Sequence, residues 1–212
     1  MLQNNSGSFG KFFEDPTLVA LVLSNIITLV TAIVFNWSLF VVLWIYWLQS
    51  IIIGFFNFVR ILSLKDFSTE GFTIGKVTPG PSVAVKIGTA IFFAVHFGFF
   101  HFIYAMFLGG FSAFFGQMTL MDFFYILFTG VIFFANHLFS FIYHKSENSE
   151  KNIGKIMFAP YSRIIPMHLT IIIGLPLSFL FGGKLTIILF LGLKTIADAV
   201  MHINEHKLSK TN

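Results

Sequence analysis

Apolar runs of about twenty residues recur six times along this chain, and a run of that length is what a helix needs to cross the hydrocarbon core of a bilayer. No water is available there to satisfy the backbone, so an apolar run satisfies its own N–H and C=O groups by coiling into a helix. The runs cover roughly 17–35, 38–61, 84–108, 121–144, 161–181 and 184–204, with ends uncertain by about two to four residues. Asn36, Trp37 and Ser38 make a very short first turn, and Gly182 and Gly183 make the last. Between the second and third runs lies a polar loop in which Pro79, Gly80 and Pro81 break any helix. The stretch GGFSAFFGQMTLM, 109–121, is almost uncharged and is expected either at the interface or as a re-entrant segment. The expected fold class is all-α: a polytopic transmembrane bundle of about six spanning helices, forming one domain over 1–212.

Composition excludes the main alternatives. Charged residues make up 10% of the chain, against roughly 25% in soluble domains, so there are too few to cover a water-facing surface. The absence of cysteine rules out disulfides, thiolate metal sites and a thiol nucleophile. Lysine and arginine are scattered over loops rather than gathered on one face, so no nucleic-acid partner is expected. The 31 phenylalanines read as lipid-facing bulk. Residues 1–16 are polar, with Lys11, Glu14 and Asp15, and no small-residue cleavage site follows the first apolar run, which is read as retained.

Six spans would place both termini on one side, together with the 62–86 and 145–160 loops. That side would hold Lys11, Arg60, Lys65, Lys76, Lys86, Lys145, Lys151, Lys155, Arg163, Lys207 and Lys210, and the other side only Lys184. Excess basic charge marks the cytoplasmic face. The expectation is therefore a multi-pass protein of the cell membrane with its N- and C-termini in the cytoplasm and the lipid bilayer as its main partner.

Depth counting brings polar residues together. At a rise of about 1.5 Å per residue, Asn25, Gln49, His96, His137, His168, Lys194 and Asp198 all fall roughly 10–15 Å below the cytoplasmic edge. Ionisable groups at such depth each cost about 2.5–3.5 kcal/mol on insertion scales, so they tend to face the bundle interior. Lys194, Asp198 and His202 recur at i, i+4 and i+8 along one helix face. Imidazoles with a carboxylate suit Zn²⁺ or a similar divalent transition metal, and His96, His137, His168 and His202 are the candidate ligands. Two facing imidazoles could instead ligate haem iron, although no C-x-x-C-H motif is present. Satisfied structural histidines or a proton relay are the other readings. His96 and His101 lie five apart, about 140° around a helix, so both do not easily point inward. His101 is assigned to a contact with a neighbouring helix or to a backbone carbonyl. Arg163 near the edge reads as a snorkelling charge or an anion-binding group. Lys194, Asp198, Arg163 and Gln49 complete the candidate polar site.

The segments YWLQSIIIGFFN, HFGFFHFIYAMFL, PYSRIIPMH and LGLKTIADAVMH resemble, in this order, an uncharacterised multi-pass prokaryotic membrane family that carries only a domain-of-unknown-function label. The resemblance spans the second to the sixth helix and implies fold and topology rather than an activity. It also implies an acidic residue, in many members, where this chain has Gln49. The leading functional expectation is a membrane protein whose buried His/Lys/Asp site binds a metal ion or a small polar ligand. The alternatives are a non-enzymatic scaffold subunit of a membrane complex or homo-oligomer, a haem- or quinone-linked electron-transfer protein, and a small transporter.

Overall fold

The computed structural model describes residues 26, 30–115, 118–143, 151–169, 172, 173, 180, 182 and 184–196. They belong to two units, one made of Met1–Leu39 with His168–Asn212 and the other of Phe40–Met167. Among the described residues the secondary structure is helical, with two isolated β-bridges and no strand. The named helices are α1 (Leu39–Ser63), α2 (Val83–Phe115), α3 (Leu120–Tyr143), α4 (Ile153–Phe158) and α5 (Tyr161–Leu169). Residues 30–34 and 184–196 are also helical. Among the described residues two helices, α1 and the Val83–Ala113 part of α2, are long and apolar enough to cross a membrane, and the apolar stretch Leu120–Ala135 of α3 is shorter.

In the first unit, the short turn before α1 is built by a C-cap. Asn36 adopts φ 50°, the left-handed region that asparagine tolerates better than most residues. Around it Trp37 N–H donates to Ala32 C=O at 2.8 Å and Asn36 N–H to Ile33 C=O at 3.3 Å, the paired bonds of a Schellman motif. This closes the preceding helix within three residues of Leu39.

In the second unit, α1 lies between α2 and α3. Leu43, Trp47, Ser50, Gly54, Asn57, Ile61 and Leu64 recur at alternating spacings of four and three, a stripe that stays on one side of a helix. This stripe meets α2: a Cβ on Gly54 would collide with the Phe97 ring, so the glycine is what lets α2 approach. On the other flank of α1, Leu48 packs where Gly130 of α3 has no side chain, and Phe56 meets Phe134 and Phe141.

α2 has 33 residues, about 50 Å at the α-helical rise, and exceeds a hydrocarbon core of about 30 Å. The expected span of 84–108 therefore stops short. α2 continues through Gly109 and Gly110 to Phe115, so the first seven residues of the 109–121 stretch extend the helix rather than forming a separate interfacial or re-entrant segment. A glycine in a helix costs about 1 kcal/mol, whereas a backbone group left unpaired in an apolar medium costs several, so continuing is the cheaper course. α3 then starts on a capping box: the Asp122 carboxylate accepts from Thr119 N–H and Thr119 Oγ at 2.8 Å each, and Thr119 Oγ accepts from Asp122 N–H.

The polar loops at the other end are folded. Ser68 and Asn152 form a parallel bridge, with Ser68 N–H donating to Lys151 C=O and Ile153 N–H to Ser68 C=O, both at 3.0 Å. Asn152 caps α4 by accepting from Lys155 N–H at 3.1 Å, while its amide donates to Glu70 C=O at 2.8 Å. Ile153, Ile156 and Met157 are buried beneath, and α4 packs on α2. Lys86 Nζ reaches Leu64 C=O at 2.9 Å and satisfies a carbonyl just beyond the end of α1. The 64–82 loop and the 151–160 segment thus share one end of this unit.

Candidate functional site

The best-defined polar contacts inside the unit join α1 to α2 around His101. The His101 side chain is 3% exposed and that of Ser50 7%. His101 Nδ1 lies 2.8 Å from Phe97 C=O, and a carbonyl only accepts, so Nδ1 carries the proton. In this apolar surround a neutral ring then leaves Nε2 as the acceptor for the Ser50 hydroxyl at 2.9 Å. Trp47 Nε1 donates to His101 C=O at 2.9 Å, and Trp44 Nε1 to Ser112 Oγ at 3.3 Å. Phe97 stacks on the imidazole with centroids 4.2 Å apart. Both ring nitrogens are therefore used, and the arrangement acts as a clamp between helices.

Of the two histidines five apart, the one turned inward is His101. His96 is exposed on the flank of α2. Its Nδ1 lies 2.8 Å from the Tyr161 hydroxyl at the start of α5. Phe92 stacks on the His96 ring at 5.2 Å and 17°, and Phe100 meets it edge-on at 5.1 Å. Tyr161 is itself held edge-on by Phe93 and Phe97 and is flanked by Phe158. With Nδ1 engaged and Phe92 stacked on the ring, Nε2 has no hydrogen-bond partner among the described residues. Because a tyrosine hydroxyl can donate or accept, Nε2 can serve either as an acceptor or, through the other tautomer, as a donor.

The remaining candidates are distributed as follows. Gln49 is half-buried on α1, but its neighbour Ser50 makes the bond to α2. His137 is half-buried on α3 beside the Phe56 ring, at 6.1 Å. Arg163 lies in α5, with its side chain outside the described residues. In the other unit His168 is exposed and Lys194 is half-buried in the 184–196 helix. Asp198 and His202 lie outside the described residues, as does Asn25. Among the described residues no three His, Asp or Glu side chains stand close enough to hold a metal ion. Asn57 Nδ2 and Thr89 Oγ1 are buried without a hydrogen-bond partner among the described residues.

Sequence reasoning missed Ser50 and Tyr161. Ser50 had a usable signal, its place on the α1 stripe. Tyr161 had only the proximity of Pro160.

These features define an all-helical protein that has, among the described residues, two helices long and apolar enough to cross a membrane and a buried imidazole clamp between them. The chain belongs to the Family of unknown function (DUF6498), whose model matches residues 9–212. No curated protein and no solved structure matches it.

The clamp makes a measurable coupling. Ser50→Ala leaves His101 Nε2 buried without its donor, and His101→Leu removes the acceptor. Hydrogen bonds inside membranes couple by about 0.6 kcal/mol on average and up to about 1.7. A double-mutant cycle on unfolding in detergent should give a Ser50–His101 coupling of about 1 kcal/mol. Additive losses would remove the clamp.

Proposed function

We propose that this chain is a six-span membrane protein with both termini in the cytoplasm. Its cytoplasmic half carries a polar site that takes a small polar ligand or a metal ion through His96. The observation that carries the site is the His96–Tyr161 hydrogen bond: the tyrosine hydroxyl engages Nδ1 and leaves Nε2 as the ring nitrogen for a ligand, as partners on the other nitrogen do for ligand-binding histidines. Counted from Lys86, which bonds just beyond the end of α1, His96 lies about 15 Å along α2. His137, His168, His202, Lys194, Asp198, Arg163 and Gln49 enter the site by depth in the sequence alone.

The topology draws support from two sides. The basic residues segregate 11 to 1 between the loops of a six-span reading. Independently, the 64–82 loop and the 151–160 segment, which that reading assigns to the same face, bond to each other.

Because the sequence contains no cysteine, single substitutions report cleanly on sidedness. Ser6→Cys, Asp66→Cys, Glu147→Cys and Thr211→Cys should react with a membrane-impermeant maleimide only after the cells are permeabilised. Gln117→Cys and Gly183→Cys should react in intact cells. Labelling of Asp66→Cys and Thr211→Cys from opposite faces would contradict an even number of spans between them. For the site, zinc bound to the purified protein should fall in His96→Ala if the ligand is a metal. Equal zinc in wild type and in the His96, His137 and His168 alanine variants removes the metal form of the proposal.

A further inference from the structure

The Tyr161 hydroxyl reaches His96 from an element whose position is set elsewhere. Only Ala159 and Pro160 separate α4 from α5. Ala159 stays helical, at φ −52° and ψ −43°, with its N–H on Lys155 C=O at 3.0 Å. Pro160 is buried, and its ring fixes its own φ. Ser162 Oγ donates to Ala159 C=O at 2.8 Å and ties the first turn of α5 back to this connector. Phe158, the last residue of α4, lies beside the Tyr161 ring with centroids 6.0 Å apart. The connector therefore has no soft joint, and a displacement of α4 carries Tyr161 with it.

α4 is in turn placed from outside itself, because a helix of six residues does not persist alone. Part of its hold is the packing on α2. The rest comes from the 64–82 loop, which meets α4 at Asn152. Asn152 Oδ1 accepts from Lys155 N–H at 3.1 Å and starts the helix, while Nδ2 donates to Glu70 C=O at 2.8 Å and ties that start to the loop. The backbone bridge between Ser68 and Asn152 lies alongside. From the same loop Phe72 closes over Gly154, where a Cβ would stand 3.2 Å from the ring and 3.3 Å from Asn152 Oδ1.

We propose that Asn152 is a positioning residue for the His96 site: it couples the 64–82 loop, through α4 and the Ala159–Pro160 connector, to the Tyr161 hydroxyl on His96 Nδ1. A shift of the loop against α2 moves the start of α4, and the connector passes that shift to Tyr161. The bond that changes is the one on which the protonation of the two His96 nitrogens depends. The loop is thereby an input to the site. Its functional meaning rests on the reading of His96 as the ligand-binding residue, whereas the coupling itself is read on the His96–Tyr161 bond.

The test uses the full chain in nanodiscs, labelled with ¹⁵N-histidine. Loss of a signal in His96→Gln assigns His96, and Tyr161→Phe shows where it resonates without the hydroxyl. Asn152→Ala should move the His96 signal toward its Tyr161→Phe position, while His101, held between α1 and α2, stays in place. Asn152→Asp keeps an acceptor for Lys155 N–H but loses the donor to Glu70 C=O, so it should move His96 as well. A residue that served only as a helix cap would be rescued by aspartate. Phe72→Ala leaves both Asn152 bonds in place and should move His96 in the same direction by less. If Asn152→Ala disturbs His101 too, Phe72→Ala is the deciding variant. A His96 signal unmoved in Asn152→Ala and Phe72→Ala, or restored in Asn152→Asp, overturns the coupling. Zinc that binds wild type through His96 should bind Asn152→Ala about fivefold more weakly, the contribution of one hydrogen bond. A wild type that binds no zinc counts against the metal reading of His96 alone, since the His96 signal reports the coupling without a ligand.

Discussion

The fold of the Phe40–Met167 unit depends on how α1 and α2, both long and apolar enough to cross a membrane, are held together. For helices that cross a bilayer, lipid tails are as apolar as leucine, so association relies on close packing and on polar contacts. The chain supplies both on one stripe of α1. Gly54 admits the Phe97 ring, and one turn away Ser50 bonds an imidazole whose other nitrogen is tied to its own helix. His101 joins the two: its ring bonds Ser50, its carbonyl accepts from Trp47, and Phe97 covers its face. With α1 and α2 fixed, the α2 flank that carries His96 is fixed as well, and Tyr161 can meet it from α5.

The same constraint explains the two ends of the unit. α1 ends where Lys86 can reach Leu64 C=O, and α2 begins on Ser82, whose hydroxyl accepts from Val85 N–H. The loops there must satisfy their own backbone, and they do so through the Ser68–Asn152 bridge and the Asn152 side chain. Buried Ile153, Ile156 and Met157 make this a packed cap rather than a tether.

Helix formation was legible in the sequence because apolar length alone dictates it: α1 was expected over 38–61 and is observed as Leu39–Ser63. The end of α2 was not legible, because Gly109 and Gly110 read as punctuation, while the cost of an unpaired backbone in an apolar medium carries the helix through them. Depth counting assigned residues to a layer but not to a direction. Spacing showed that His96 and His101 do not easily both face inward, and the choice turned on a partner one helix away, Ser50, that spacing could not supply. Tyr161 was hidden for the same reason: its partner lies 65 residues earlier in the chain, and nothing local marks it. The short helix α4 was read as loop because its apolar positions are few and its stability comes from packing on α2.

The bond pattern around His101 prescribes one tautomer, a neutral ring protonated at Nδ1 and bare at Nε2. Solid-state NMR of the protein labelled with ¹⁵N-histidine, in lipid bilayers, reads this directly. The expected result is one histidine, lost in His101→Leu, whose Nδ1 is protonated and whose Nε2 moves when Ser50 is changed to alanine. A His101 signal protonated at Nε2 alone, or at both nitrogens, would contradict the clamp on which the arrangement of α1 and α2 rests.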